Sequence, residues 1–143
     1  ESLASMVDLL RGGADLVCAS RYIQGGAQIG GPRVKKWLSR LAGQSFHLIT
    51  RVGTHDVTNC YKAYRREFIQ AVPLKSSAGF ELGLETVVRA IQYQARVTEV
   101  PTVWRDRSDG ESRFRIVRWF PKYLRWYFEG VLWRVVVVGQ KVS

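Results

Sequence analysis

Apolar positions recur along this chain with a period that switches between helical and extended. Leu3, Met6, Val7 and Leu10 fall three and four apart, as one face of a helix, and Gly12–Gly13 then closes it. Asp15–Tyr22 (DLVCASRY) contains a short apolar run and predicts a buried strand. The glycine pairs 25–26 and 30–31 predict an exposed loop. Pro32 is placed to open a helix that runs to about Arg51, with Gly53 beyond its end. Tyr61–Tyr64 reads as a strand and Arg66–Val72 as a short helix. Phe80–Tyr93 reads as a helix with Phe80, Leu84, Val87, Val88 and Ile91 on its apolar side. Arg96–Arg105 alternates as one strand, with Pro101 marking a sheet edge or a bulge. Pro121 predicts a broken tail: a short helix, a bend, and a second helix from near Pro121. Helices and strands in this order predict an α/β architecture.

Composition narrows the class. The 143 residues suffice for one domain with a core, and 46% hydrophobic with 24% charged residues excludes disordered and collagen-like chains. The net charge of +10 points to an anionic partner: nucleic acid, a lipid surface or a phosphorylated substrate. That charge is concentrated. Residues 21–66 hold nine basic groups against Asp56, and residues 113–143 hold seven against Glu129, while the segments between and before them are mildly acidic. No apolar run approaches a membrane span, since Arg134 interrupts even Val131–Val138, and no signal-peptide pattern opens the chain. The chain starts at Glu1 without methionine, the expectation being a piece of something longer. Cys18 and Cys60 lack metal-ligand spacing and read as small buried thiols.

The first basic block lies largely on the helix after Pro32. At 100° per residue, Val34, Trp37, Leu38, Leu41, Ala42 and Ile49 share one arc, and Arg33, Lys36 and Arg40 form a stripe on the other side. Lys35 and Ser39 sit one turn apart on the edge between them. A cation and a hydroxyl beside an apolar wall suit a phosphate on a greasy chain, although a solvated helix face has the same spacing. Arg21 ends an apolar strand ahead of a glycine-rich loop, where α/β sheets often bind ligands and where a structural ion pair is the alternative. The second block, FRIVRWFPKYLRWYFEGVLWR, interleaves Trp119, Trp126 and Trp133 with arginine and tyrosine. Lys122 and Arg125 share a face flanked by Trp126, the composition of a segment in a lipid interface or of a helix packed on its own domain. Glu81 and Glu85 read from spacing as a solvated face, with Glu85–Arg89 a possible i,i+4 pair, and His47 and His55 read as structural. Arg105, Arg107 and Arg113 form a cationic loop around Gly110.

Five strings taken in order, DLVCASRYIQGG, DVTNCYKAYRRE, GFELGLE, EVPTVWRDRSDGESRF and WFPKYLRWY, resemble the family 2 glycosyltransferases related to dolichol-phosphate mannosyltransferase, over about residues 1–128. The resemblance implies the C-terminal portion of a GT-A (nucleotide-diphospho-sugar transferase) fold. Residues 1–112 would be the acceptor side of the catalytic domain, and residues 113–143 basic aromatic helices at the membrane interface. It implies an inverting enzyme that moves a sugar from a nucleotide-diphosphate sugar to a polyprenyl phosphate. Arg21 matches an arginine implicated in binding the acceptor phosphate, and Ser39 a hydroxyl of the same site. Lys35 stands where relatives carry a second phosphate-binding arginine, keeping the charge without the bidentate fork. Asp56 matches the acid that opens a D-P-x-S-G-F-type string, here DVTNCY, with Asn59 and Cys60 in place of Ser and Gly. Glu85 matches the acid of the G-F-x-x-x-x-E string beside the expected sugar site. Arg107 matches a mobile-loop arginine that meets donor and acceptor phosphates, and Ser112 closes that string.

Implied catalytic residues are therefore Arg107, Asp56 and Glu85; Arg105, Ser112 and Asn59 belong to the donor and loop side; Trp119, Lys122, Arg125 and Trp126 would meet the membrane. The family's donor half, with a D-x-D motif for Mg or Mn, should lie before Glu1, and the chain has no D-x-D. The expectation is a chain inactive alone, peripheral on the cytoplasmic face of a membrane. Its expected partners are an anionic membrane surface and either the N-terminal half or a membrane-spanning chain. A non-catalytic binder of anionic lipid or nucleic acid is the rival, nucleic acid being disfavoured for lack of a recognised module. A hydroxyl acceptor, with Asp56 or Glu85 as base, is a further alternative.

Overall fold

The computed structural model describes residues 2–76, 79, 81–106 and 116–139, with side chains in the last helix from 120 to 137. The described elements run α1 (Ser2–Arg11), β1 (Leu16–Ser20), β2 (Ala27–Ile29), α2 (Arg33–Thr50), β3 (Lys62–Tyr64), α3 (Arg66–Ala71), α4 (Leu82–Gln92), β4 (Val97–Pro101), β5 (Val103–Arg105) and α5 (Ile116–Gly139). The architecture is mixed α/β with two small sheets.

β1 is the centre. It lies between β3, antiparallel with Leu16 opposite Tyr64, and β4, parallel with Leu16 opposite Val97. All five of its residues are buried. Leu16 and Cys18 enter one apolar cluster with Phe46, Val57, Leu84, Val87, Val88 and Trp126, while Val17 and Ala19 enter another with Met6, Ala14 and Val100. Helices thus cover both faces of β1, which is why its sequence is apolar without alternation. Burial pushes the Cys18 thiol up to about 11. Cys60, expected to be buried as well, is exposed.

Three elements differ from expectation. The single strand expected over Arg96–Arg105 is two. Pro101 closes β4, and the backbone then turns away: Thr102 donates to the Ser20 carbonyl at 2.9 Å and accepts from Ala27 at 3.0 Å. β5 so pairs with β2, a strand inside the segment read as loop, with Ile29 opposite Arg105. The tail is not broken at Pro121 but is one helix from Ile116 to Gly139. Pro121 falls in its second turn on the exposed side, so a single carbonyl loses its intrahelical donor and water can serve it.

α2 turns its expected apolar arc outward. Val34 is 64% exposed, Trp37 63% and Leu41 49%, while Gly43, Phe46 and Thr50 are buried. Close approach decides this: a Cβ at Gly43 would collide with the His55 carbonyl, so α2 rests its backbone on the loop that carries Asp56. α5 then closes the core over α2 and α4. Trp126 is 4% exposed, the Tyr127 ring meets Phe46 edge-on at 5.3 Å, and the Tyr127 hydroxyl bonds Ser45 Oγ at 2.8 Å. A Cβ at Gly130 would stand 2.6 Å from the Phe46 ring, so glycine is required where these helices cross.

Candidate functional site

The Asp56 loop is braced before it reaches the site. Glu99 on β4 accepts from the His55 N–H at 2.8 Å, from Thr54 Oγ1 at 3.1 Å and from His55 Nδ1 at 2.5 Å. The His55 ring stacks on His47 at 3.8 Å, and His47 Nδ1 lies 2.7 Å from the Val52 carbonyl. Both histidines serve the scaffold, as their sequence context indicates.

What this scaffold presents is an arginine fixed at the end of β1. Asp56, fully buried, accepts from the Arg21 backbone N–H at 3.0 Å and from Nε at 2.7 Å on Oδ2, and from Nη2 at 2.8 Å on Oδ1. The Arg21 fork also reaches Ser39 Oγ at 3.0 Å, Thr58 Oγ1 at 3.2 Å and Gln28 Oε1 at 3.4 Å. The two hydroxyls lie 2.5 Å apart, and the Tyr22 ring lies under the guanidinium at 5.0 Å. Burial works against the charge on Arg21, but the bonds to Asp56 outweigh it and hold its pKa above the ordinary value. The cation is permanent and its orientation is set from behind.

Two further features add positive potential. α2 begins at Pro32 with no side-chain cap and no acid in its first turn, so its first N–H groups and dipole are uncompensated by any carboxylate there. Lys35, half-buried, lies on this first turn, and Lys36 Nζ donates to the Gln28 carbonyl at 2.8 Å. The β2–β5 ribbon brings Arg105 beside Ile29, and Asp106 packs against Gly30 and Gly31 just ahead of Pro32. The described root of the cationic segment therefore lies at the same helix start.

The expected site residues part company here. Arg21, Ser39 and Asp56 belong to one locus, Lys35 lies one turn before Ser39 on α2, and Arg105 stands opposite Ile29 on the ribbon ahead of that helix. Arg107 and Ser112 lie outside the described residues, as does the Trp119 side chain. Asn59 is a strut: Nδ2 donates to the Ala19 carbonyl at 2.7 Å and Oδ1 accepts from the Tyr61 N–H at 3.1 Å. Glu81 and Glu85 are not a solvated face but are 4% and 0% exposed. Glu85 accepts the N–H groups of Lys75 at 2.6 Å and Ser76 at 2.7 Å, and lies 3.7 Å from Arg89, the pair expected from its spacing. Trp126 is corrected from membrane contact to core: Arg89 lies over its ring at 5.0 Å, and Phe46, Leu84 and Val88 share its cluster. Lys122 and Arg125 are exposed on α5. Gln28 and Thr58 escaped the sequence reading because their only signal is proximity to Arg21, which the chain order hides.

Among the described residues, no three His, Cys, Asp or Glu side chains gather where they could hold a metal ion. No helix among them is long and apolar enough to cross a membrane.

Over about four fifths of its length, the chain is similar in sequence to curated polyprenyl-phosphate mannosyltransferases. It is 32% identical over 131 residues to a polyprenol monophosphomannose synthase of Mycolicibacterium smegmatis, covering 83% of this chain and 49% of that protein. It is 29% identical over 115 residues to an undecaprenyl-phosphate mannosyltransferase of Micrococcus luteus, covering 79% of this chain and 47% of that protein. The chain thus spans about half the length of these curated relatives. No protein-family profile matches it.

Proposed function

We propose that this chain is the acceptor side of an inverting, family 2 glycosyltransferase with a GT-A fold, which moves a sugar from a nucleotide-diphosphate donor to a polyprenyl phosphate. The observation that carries the reading is Arg21, held bidentately by buried Asp56 with Ser39 and Thr58 at its fork and the uncapped start of α2 nearby. Asp56 saturates the back of the guanidinium and orients the rest, and the Ser39–Thr58 pair, bonded to each other, has one hydroxyl proton beyond that bond. This is an arrangement for a phosphate head group.

The chemistry then needs little from a base. A phosphate monoester is largely doubly ionised near neutral pH, its second pKa being about 6. Its oxygen attacks the anomeric carbon from the face opposite the donor, the new C–O bond forms as the bond to the nucleotide diphosphate breaks, and configuration inverts. Arg21, Lys35 and Ser39 bind and orient the attacking phosphate, and Arg107 draws donor and acceptor phosphates together. Both Asp56 oxygens are taken by Arg21 and both Glu85 oxygens by backbone N–H groups, so neither is poised as a base for a hydroxyl acceptor. A phosphate acceptor is favoured on that ground.

The lipid chain and the location follow from the surface. α2 exposes Val34, Trp37, Leu41 and Leu48, and α5 exposes Phe120, Leu124, Phe128, Leu132, Val135 and Val136. Each set is a stripe opposite the helix's buried face, and basic residues accompany both. The reading is peripheral attachment to the cytoplasmic face of an anionic membrane, where a polyprenyl chain would be within reach. Donor binding, with Mg or Mn, falls to residues outside this chain, and the chain alone transfers no sugar. The acceptor assignment is tested by titrating the full-length protein with a short-chain polyprenyl phosphate and with the matching polyprenol. The phosphate should bind at least tenfold tighter, and equal affinity would refute the site.

A further inference from the structure

A cavity of about 560 Å³ opens at the far end of α2 from the Arg21 locus. Thr50, which lines it, lies about 16 Å along the helix from Ser39. The ends of α2 and α4 and the second half of α5 bound it. Arg51 and Arg134 both line it, and no Asp or Glu is among the described residues that do so. Ile91, Trp133 and Val137 supply apolar wall. The space is that of a small-molecule site and far exceeds one water.

Two helix C-termini would by themselves favour a cation here, because their last carbonyls carry partial negative charge. Both ends are closed on themselves. Arg51, left-handed at φ 58°, donates its N–H to the His47 carbonyl at 2.8 Å. On α4, Gln94, left-handed at φ 54°, donates to the Ile91 carbonyl at 3.2 Å, and Ala95 donates to Ala90 at 2.8 Å. Those two bonds make a Schellman closure. With these carbonyls engaged and no carboxylate in the lining, the two guanidinium groups set the sign of the cavity, which is positive. The helix ends still leave a weaker field than at Arg21, where the start of α2 adds to the cations. A singly charged anion fits this balance better than a doubly charged one.

The apolar wall restricts what carries that anion. At 100° per residue, Trp133 and Val137 stand beside Val136 around α5, and Val136 belongs with Leu132 and Val135 to the exposed stripe. Apolar surface thus runs from the outer side of the helix to the cavity. We propose that this cavity seats the phosphodiester of an anionic phospholipid, its phosphate held by Arg51 and Arg134 and its acyl chains laid over Trp133 and Val137 towards the outer stripe. The assignment rests on the membrane-attachment reading above and adds to it one bound lipid, at a place separate from the acceptor phosphate.

The test is calorimetric titration of the full-length protein with dihexanoyl phosphatidylglycerol, dihexanoyl phosphatidylcholine and glycerol 3-phosphate, the lipids kept below their micelle concentrations. Phosphatidylglycerol should bind roughly tenfold tighter than either of the others. Arg51→Gln and Arg134→Gln should each weaken it roughly fivefold or more, with polyprenyl phosphate affinity unchanged, while Arg125→Gln on the same helix should leave it as in the wild type. If Arg51→Gln does not fold, Arg134→Gln alone decides. Equal binding of the two phospholipids, or glycerol 3-phosphate binding as tightly as phosphatidylglycerol, would overturn the proposal. So would unchanged affinity in the arginine variants, an equal loss in Arg125→Gln, or a parallel loss of polyprenyl phosphate binding. A wild type that binds dihexanoyl phosphatidylglycerol in this way but does not float with anionic vesicles would instead overturn the attachment reading and leave this site standing.

Discussion

Arg21 and Asp56 stand 35 positions apart in the chain and form one unit in the fold. The sequence marks each by its context, an arginine at a strand end and an acid opening a string, but not their pairing, because nothing local encodes it. A buried carboxylate that loses the cation paired with it is costly, so Arg21→Ala should lower stability by about 3–5 kcal/mol, measured by urea denaturation. Charge alone will not restore the site: Arg21→Lys should recover part of the stability and little of the affinity for polyprenyl phosphate, since the fork is lost. The acids of α4 show the opposite failure. Their spacing on a helix reads as a solvated face, and only the fold of 75–76 across α4 shows that Glu85 is a buried backbone acceptor. The thiols give a further residue-scale prediction. Cys60 should alkylate in the native protein at pH 8, and Cys18 only after unfolding. Folding raises the Cys18 pKa from 9.0 to about 11, so this stabilisation is complete below pH 9 and is lost as pH rises towards 11.

The helices α1 to α4 and the central strand are legible to within a few residues because their apolar periods are strong, whereas Pro121 misleads in α5. β2 and the β4–β5 break were not legible, because three-residue strands carry no measurable period and exist through their pairing. The face of α2 was misleading for a different reason. Its most apolar arc is wide, but Gly43 permits backbone contact with the Asp56 loop on another side, and close packing there outweighs the arc. Gly43→Ala should therefore destabilise by about 1–3 kcal/mol despite alanine's better helix propensity, and polyprenyl phosphate affinity should fall with it. In α5 the tryptophan that resembles an interface residue is the one that anchors the helix. Trp126→Ala should cost about 3–5 kcal/mol, visible as an early thermal transition.

At the scale of the whole chain, the basic excess divides in two. From one block Arg21 joins Asp56 at the end of β1 and Lys35 opens α2, and from the other Lys122, Arg125 and Arg134 lie on a helix whose inner side belongs to the core and whose outer side is apolar. The composition predicted an anionic partner, and the fold adds exposed aromatic and aliphatic stripes that favour a lipid surface. Replacing Phe128 and Leu132, 55% and 60% exposed, by serine should leave the melting temperature nearly unchanged. It should lower flotation with anionic vesicles at least tenfold, and rising salt should weaken flotation of the unaltered protein. In the full-length protein, Arg107→Ala should reduce turnover at least a hundredfold while leaving acceptor binding largely intact, as read by single-turnover kinetics. The most direct measurement of the central claim is mass spectrometry of the lipid product formed by the full-length protein from a nucleotide-diphosphate sugar and a polyprenyl phosphate. The predicted result is a polyprenyl-phosphate monosaccharide of inverted anomeric configuration, at least a hundredfold less abundant with Arg21→Ala. A product bearing the sugar on a free hydroxyl, or unchanged yield from that variant, would contradict it.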